Sequence, residues 1–334
     1  MKSNRLTLHI PLLVFLFLIA GAALSRAEEK PRALLLLEQG KSSAWTDMLR
    51  AGFEAASRKH GFAGTVELLH PDWNHSLANT VANAELAIVA TDNLHEALRD
   101  NAAKFRRVKF GSIDAGIRAA NVMSVTFKDE EAACLAGCAA AMLAAKSGRT
   151  PLIGWLSGED SPAMRTLYNG FVEGAKLANP QIQVAQALVN GQDEEASIDR
   201  ARQLQKQGAQ VIALAAGAAN PAVARTLSDT GIWLVLVDDQ LEQPNVAGWL
   251  LRRPDLAVAD IVASAATNFR GKEIDTRGLA DGYVSFELSQ GLARENSELF
   301  REAQRRIHEL RAEMAAGNFH LPSLRARTLC DCLD

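Results

Sequence analysis

Seven runs rich in apolar residues, each followed by an alanine-rich stretch with helical spacing, constrain the fold of this chain more than any other feature. Strands that are apolar on both faces are buried on both, which is typical of a parallel sheet covered by helices on either side. The alternation of such runs with helical segments predicts a doubly wound, Rossmann-like α/β architecture. The runs are Ala33–Leu37, Leu86–Ala90, Val108–Ile113, Leu152–Leu156, Val184–Leu188, Val211–Ala215 and Trp233–Val237.

These runs fall into two blocks, one ending near Ile113 and the other beginning near Leu152. Because the chain is long for a single open sheet, we expect two α/β lobes with a cleft between them. Open α/β sheets bind ligands beyond the carboxyl ends of their strands, so the loops at those ends are where function is expected. Three of these loops carry an aspartate just past the strand, including Asp114 and Asp238.

The N-terminus has the features of a secretory signal peptide. Lys2 and Arg5 precede an apolar stretch over residues 10–24, and small residues follow near Ala27. The apolar stretch is shorter than the ~20 residues that a membrane-spanning helix needs, although an uncleaved anchor stays open as an alternative. No cysteine lies near the cleavage point, so no lipid anchor is expected there. We therefore expect residues 1–27 to be removed and the rest to be an exported, soluble protein, periplasmic in a bacterium with two membranes.

The charge of the chain is balanced, with 36 basic and 39 acidic residues. A balance of this kind gives no reason to expect binding to nucleic acid or to an anionic membrane surface. Searches for nucleophile and metalloprotease motifs find nothing, which favours binding over catalysis. The sequence therefore predicts a protein that is not an enzyme and needs no cofactor.

The stretch VTFKDEEAACLAGCAAAML contains two cysteines that could indicate a metal or redox site. Cys134 and Cys138 are four residues apart on a predicted helix, which places their Cβ atoms about 5–6 Å apart. A disulfide needs about 3.5–4.5 Å, and no histidine lies in the stretch to complete a zinc site. We interpret both thiols as buried small side chains on a tightly packed helix. The acidic residues from Asp129 on are expected to interact with the helix dipole.

Two other groups of potential ligands carry less information. His70 and His75 form the single local histidine pair, and without a third ligand no metal site is predicted there. Cys330 and Cys332 lie close to the C-terminus of a chain expected to be exported. They could bond to each other, to another chain or to a partner, or belong to a disordered tail, and the sequence does not choose between these.

Eight stretches of the sequence are informative when they are taken together. They are LAIVATDN, VKFGSIDAG, VMSVTFKDEEAACLAGCAAAMLA, MRTLYNGFVEGAKLANP, GAQVIALAAGAANPAV, WLVLVDDQ, LLRRPDLAV and IHELRAEMAAGNFHLP. In this order they resemble the BMP family (basic membrane protein), the purine-nucleoside receptor type of ABC-transporter substrate-binding protein. The resemblance covers about residues 32–322. It implies a type I periplasmic-binding-protein fold, a nucleoside-like ligand and an ABC transporter permease in the inner membrane as partner.

The resemblance also implies how the chain divides. Three hinge crossings would fall near Ser124–Thr126, Pro244–Trp249 and Gly282–Ser285. The N-terminal lobe would then hold residues 28–124 plus about 249–282, and the C-terminal lobe residues 125–248 plus about 283–322. Residues 323–334 would be a tail.

Ligand contacts in the first lobe are implied residue by residue. Trp45 takes the place of the family's phenylalanine that stacks on the nucleobase, and an indole keeps that chemistry. Ser42 takes the place of the family's aspartate and Thr46 that of its asparagine. The negative charge is lost, but both side chains can still form hydrogen bonds. Asp114 matches the aspartate that contacts the base.

In the second lobe the match is looser. Leu167 replaces an aromatic residue, with Tyr168 next to it, and Gly217 opens a loop that is glycine-rich in the family. Asp238 or Asp239 would accept hydrogen bonds from sugar hydroxyls. Arg252 replaces the family's lysine, and because a guanidinium is planar and bulkier the geometry there differs.

The sequence thus predicts an exported, monomeric solute-binding protein that captures a nucleoside or related purine compound and delivers it to an ABC transporter. Two alternatives stay open. The same fold could serve as a ligand sensor for a membrane receptor. The chain could also be an exported enzyme acting on nucleosides, with Asp114 or Asp238 as acid or base.

Overall fold

The computed structural model describes residues 30–39, 43–70, 77–145, 151–189 and 193–319. Within these ranges the strands form two six-stranded sheets. The expected signal peptide, Ser42, His75, Cys330, Cys332 and the C-terminal tail lie outside the described residues.

The first sheet has the strand order β11-β5-β4-β3-β1-β2, and every neighbouring pair in it is parallel. Its interior strands are buried along most of their length, whereas the edge strand β2 is largely exposed. Its strands are β1 (Arg32–Glu38), β2 (Ala63–Leu69), β3 (Leu86–Val89), β4 (Lys109–Ile113), β5 (Val122–Phe127) and β11 (Ile274–Arg277).

The second sheet repeats this arrangement in the order β12-β10-β9-β8-β6-β7. The pair β10–β12 is antiparallel and the other pairs are parallel. Its strands are β6 (Leu152–Ser157), β7 (Gln183–Leu188), β8 (Val211–Ala215), β9 (Trp233–Val237), β10 (Val246–Arg252) and β12 (Val284–Leu288). The two parallel-dominated sheets confirm the predicted α/β class, and each of the seven apolar runs forms a strand.

Helices cover both sheets. The most extensive contacts between helices are those of α4 with α5 and of α1 with α8. The α-helices are α1 (Ala44–His60), α2 (Leu77–Val81), α3 (Asp92–Asn101), α4 (Asp129–Ala145), α5 (Pro162–Ala178), α6 (Glu194–Lys206), α7 (Asn220–Thr226), α8 (Pro254–Ala266), α9 (Gln290–Glu295) and α10 (Ser297–Ala315). We use first lobe and second lobe for each sheet with the helices that pack on it.

The chain passes between the lobes three times. It leaves the first sheet after Phe127, since β5 pairs with β11 as far as that residue. It returns after Arg252, because β10 is still paired there with Val284 of the second sheet, while α8 packs against the first lobe. The second passage therefore lies beyond the expected 244–249. The third passage lies between β11 and β12.

Backbone contact without side chains fixes α4 against α5. A Cβ atom on Gly137 would lie 1.9 Å from the carbonyl oxygen of Phe171, and one on Gly174 would lie 1.9 Å from that of Cys134. Only glycine allows backbones to approach so closely. Cys134 and Cys138 are free, buried thiols in this contact, which confirms their interpretation as small packing residues.

Candidate ligand-binding cleft

A cavity of about 450 Å³ lies between the two lobes. Loops at the carboxyl ends of β1, β3 and β4 line it from the first lobe, and loops after β6, β8 and β9 line it from the second. Arg252, the last residue of β10, completes the lining. This volume is in the range of small-molecule sites, about 300–1,000 Å³. Both lobes therefore contribute to one ligand-sized cleft, in the position expected for open α/β sheets.

Two serine caps shape opposite walls of the cleft. The hydroxyl of Ser43 accepts a hydrogen bond from the amide of Thr46 at 3.4 Å, and Thr46 Oγ1 accepts one from the amide of Ser43 at 2.9 Å. Across the cleft, Ser161 Oγ accepts from the amide of Met164 at 3.2 Å. Such caps satisfy the free N–H groups at a helix start and fix the loop before it. The N-terminal ends of α1 and α5 thus face each other across the cleft.

Arg252 forms the centre of a buried charged cluster and is 4% exposed. Its Nε donates to both carboxylate oxygens of Asp238, at 3.1 and 3.0 Å, and its Nη1 donates to Asp114 Oδ2 at 2.8 Å. Asp129 Oδ2 lies 3.6 Å from the same Nη1. Asp114 belongs to the first lobe and Asp238 to the second, so this one guanidinium bridges both lobes.

Both hydrogen-bonded aspartates have left-handed backbone conformations. The φ angle is +72° at Asp114 and +54° at Asp238, a region that residues other than glycine adopt at some cost. Each amide still bonds to the neighbouring strand, Asp114 to Val125 O at 2.9 Å and Asp238 to Leu250 O at 2.8 Å. The turn away from the strand therefore comes directly after a last ladder bond, and it places both carboxylates beside Arg252.

Three carboxylates surround one guanidinium, so the cluster carries excess negative charge when all are ionised. Burial raises the pKa of Asp114 and raises that of Asp129 well above its usual range, and Arg252 only partly opposes this. Burial alone would lower the pKa of Arg252, but Asp238, Asp114 and Asp129 outweigh it and raise that pKa. Asp129 Oδ1 is buried and has no hydrogen-bond partner among the described residues. Asp129 therefore ionises less readily than Asp114.

The indole of Trp45 packs on this cluster. The Arg252 Cζ atom lies 4.2 Å from the Trp45 ring centroid, which is cation–π distance. Phe127 meets the indole at an interplanar angle of 75°, with 5.8 Å between ring centroids. Trp45 is half-buried and still lines the cleft. One face of the indole is therefore covered by a side chain of the protein itself.

Most of the residues expected at the site come together in this cleft. The structure does not bring Leu167 or Tyr168 into its lining. Leu167 is fully buried in the hydrophobic core of the second lobe, and Tyr168 packs against Trp155 with 5.9 Å between ring centroids. Because α5 starts at Pro162, only its first turn reaches the cleft, and Met164 stands there instead. The lining includes Trp45, Thr46, Asp114, Gly217, Asp238, Asp239 and Arg252.

Several lining residues were not anticipated from the sequence. Ser43 and Ser161 precede helices in the S-x-x pattern of an N-cap, a signal that could have found them. Thr91 lies at the start of α3, and its Oγ1 is buried without a hydrogen-bond partner in the described part of the chain. Asn220 is fully buried and accepts from the amide of Ala216 at 3.0 Å. No group of metal-ligating side chains occurs within the described residues.

Two α/β lobes joined by three crossings, with a ligand-sized cleft between the carboxyl ends of their strands, define the class of type I periplasmic binding proteins. Within that class, the family described as Bmp, ABC transporter substrate-binding protein PnrA-like, matches residues 41–318. The chain belongs to this family.

Solved structures with the same fold include proteins of different roles. A solute-binding protein of an ABC transporter system from Aeropyrum pernix K1 has a TM-score of 0.75 at 20% identity, covering 88% of this chain and 94% of the other. A transcriptional activator of the comK gene from Bacillus halodurans has a TM-score of 0.68 at 17% identity, covering 87% and 100%. A periplasmic solute-binding protein from Actinobacillus succinogenes 130z, with bound D-allose, has 0.61 at 14% identity, covering 80% and 100%.

Membership of the family establishes the general role. Its members are substrate-binding proteins of ABC transporters rather than enzymes, so this protein delivers a small-molecule ligand to a transporter permease. Binding proteins of ABC importers work outside the cytoplasm and are exported. Among the helices that the structure describes, none combines the length and the apolar character needed to cross a membrane.

Proposed function

We propose that this protein binds a nucleoside or a related purine compound in the interlobe cleft and passes it to an ABC transporter permease. It acts as a monomer, exported under the direction of residues 1–27. The observation that carries the proposal is that an indole and several hydrogen-bond acceptors line one cavity reached from both lobes. A purine nucleoside needs this combination, since its base offers a flat apolar face and its ribose offers hydroxyl donors.

The acceptors lie on both sides of the cleft. Thr91 lines the cleft on the first-lobe side, and its buried Oγ1 has no hydrogen-bond partner among the described residues. Asp239, on the second-lobe side, adjoins Asn220, and burial raises the pKa of its carboxyl group. A carboxylate in such a position accepts from vicinal hydroxyls. The bound D-allose of the Actinobacillus succinogenes protein favours a ligand with a sugar moiety for this fold.

A matched pair of variants tests the aromatic part of the proposal. Trp45→Ala removes the stacking face and should weaken nucleoside binding by about 1–3 kcal/mol, a range taken from base stacking on aromatic side chains. Trp45→Phe keeps an aromatic face and should retain most of the affinity. Calorimetric titration of both variants with a purine nucleoside measures the difference. Equal affinities for wild type and Trp45→Ala would remove Trp45 from the site.

The ligand class is tested by thermal-shift measurements against purine nucleosides, free bases and free sugars. We expect nucleosides to raise the melting temperature more than either component alone, because they engage both the indole and the acceptors. Stabilisation by free sugars with no response to nucleosides would replace the nucleoside proposal with a sugar ligand. Identification of the compound that co-purifies with the protein provides an independent answer.

A further inference from the structure

Arg252 makes the contacts that the cleft would otherwise offer to a ligand. Its guanidinium lies against the indole of Trp45 and donates to the carboxylates of Asp238 and Asp114. These are one aromatic face and two acceptors, which together form a site for a planar group rich in N–H donors. A residue of the protein itself therefore occupies one end of the cleft.

The fit of this occupant is close. Arg252 is 4% exposed, and its N–H groups point to carboxylates on three sides. A guanidinium carries five N–H donors in one plane, so it satisfies two carboxylates and stacks on a ring at the same time. A lysine ammonium has no plane to stack and does not form the same two-oxygen contact. Arginine at this position therefore fills the space beside the indole and the carboxylates that a lysine side chain would leave open.

The cavity of about 450 Å³ remains with Arg252 in place. Its other polar lining comes from the loops after β1, β3, β6, β8 and β9, including Ser43, Thr91, Ser161, Asn220 and Asp239. Arg252 is the sole lysine or arginine among the described lining residues. A ligand of the wild-type protein therefore meets a cation already saturated by carboxylates and must be recognised by the other loops.

We propose that Arg252 is the specificity-determining residue of the cleft, an internal occupant that withholds Asp114, Asp238 and one face of Trp45 from the ligand. The inference rests on the proposed use of this cleft as the ligand site. It predicts that the ligands accepted by the wild-type protein are bound through the rest of the cleft. It also predicts that planar ligands rich in N–H donors gain access when the guanidinium is removed.

The first experiment compares wild type with Arg252→Lys by calorimetric titration with guanosine, adenosine and ribose. The ammonium retains the charge that the carboxylates need but vacates the indole face. We expect the affinity for guanosine, which presents N–H donors on a planar base, to rise by about tenfold or more, as gained hydrogen bonds to a carboxylate allow. Arg253→Lys is the matched control, because Arg253 is exposed and paired with Asp255 outside the lining. Unchanged or weaker binding of all three ligands by Arg252→Lys would overturn the proposal.

The second experiment needs no natural ligand. Arg252→Ala opens the end of the cleft that the guanidinium fills, so methylguanidinium at millimolar concentration should bind there and raise the melting temperature of the variant in a saturable way. Methylammonium should have a much smaller effect, and wild type and Arg253→Ala should respond to neither. If Arg252→Ala does not fold alone, the yield of folded protein after refolding with each cation is the measurement. No preference for methylguanidinium, in melting temperature or in yield, contradicts the proposal.

The two experiments separate this inference from the proposed function. Nucleoside binding by Arg252→Lys but not by wild type would support the specificity role and remove nucleosides as the ligand. Equal nucleoside binding by both would keep the proposed function and reject the role of Arg252. If no ligand binds either protein, the response of Arg252→Ala to methylguanidinium decides whether the proposed role of Arg252 is supported or rejected.

Discussion

Asp129 at the start of helix α4 and the body of that helix are both buried, but in different surroundings. The body packs its small side chains and Gly137 against the backbone of α5. The first turn carries Asp129, which lies 3.6 Å from Arg252 in the charged cluster. Close packing therefore surrounds the body of the helix, whereas a charged cluster borders its first turn.

The two contacts also differ in how far apart in the sequence their residues lie. The α4–α5 contact joins neighbouring helices, and its requirement is only that side chains be small. The cluster joins residues as far apart as Asp114 and Arg252, which are separated by 138 positions. Packing of the first kind is insensitive to pH, whereas a buried cluster with excess carboxylates is not. Substitutions at either end of α4 should therefore behave differently.

The largest effect is expected for Arg252→Met, which leaves the carboxylates of Asp114, Asp129 and Asp238 without their cation. Removal of one partner from a buried ion cluster costs about 3–5 kcal/mol, so the free energy of unfolding at neutral pH should fall by that amount. The loss should shrink as the pH falls, because protonated carboxyl groups need no cation. Denaturant unfolding at several pH values measures both effects. The control Arg305→Met breaks an exposed pair with Glu309 and should change stability by less than about 1 kcal/mol.

Gly174→Ala should disrupt the close contact between the body of α4 and α5. The added Cβ atom would lie 1.9 Å from the carbonyl oxygen of Cys134, so the backbones of α4 and α5 must move apart. Overpacking of this kind costs about 1–3 kcal/mol, and the cost should be the same at all pH values tested. Gly116→Ala serves as control, since its added Cβ atom meets the flexible end of Ile274 at 3.2 Å. A strong pH dependence of the Gly174→Ala loss would show that the packed body of α4 is coupled to the charged cluster.

Asp129→Asn should change the pH dependence of stability in a defined direction. Because burial raises the pKa of Asp129 in the folded protein, its favourable contribution is complete below the unfolded value and is lost as the pH rises through the folded value. The asparagine variant avoids this loss, so it should be more stable than wild type at neutral pH. The difference should vanish toward pH 4. Melting temperatures across this range provide the test, with exposed Asp199→Asn as control.

The smallest effect concerns the two thiols in the body of α4. Burial raises the pKa of Cys134 to about 12 and also raises that of Cys138, so both remain protonated and shielded at pH 8. We expect neither to react with iodoacetamide in the folded protein and both to react after unfolding in urea. Peptide mass mapping distinguishes them from the cysteines near the C-terminus. Rapid alkylation of folded protein at Cys134 would show that the body of α4 opens.

The fold was largely predictable because most of its interior strands are rich in apolar residues. The strands that the apolar pattern did not reveal lie at sheet edges or beside a passage of the chain between the lobes. β2 is exposed over much of its length, and β11 has the polar sequence IDTR. Such strands gain their order from pairing with a neighbour rather than from burial, so hydrophobic pattern does not reveal them.

The position of the site could be predicted from the sequence, but the contacts among its side chains could not. Residues at strand ends, such as Trp45, Asp114 and Asp238, could be assigned to the cleft because parallel strands end at one edge. That Arg252 would engage all three of them depends on distances between separate segments, which sequence spacing does not give. The misplacement of Leu167 has a simpler cause, since a helix turns its residues out of the cleft within one turn.

The three crossings have a consequence for when the protein can fold. Each sheet receives its last strand, β11 or β12, from residues 274–288, and these follow every other strand of both lobes in the chain. Neither sheet can be completed until most of the polypeptide is available. An emerging chain of this kind therefore stays short of its complete native structure until most of its synthesis is finished.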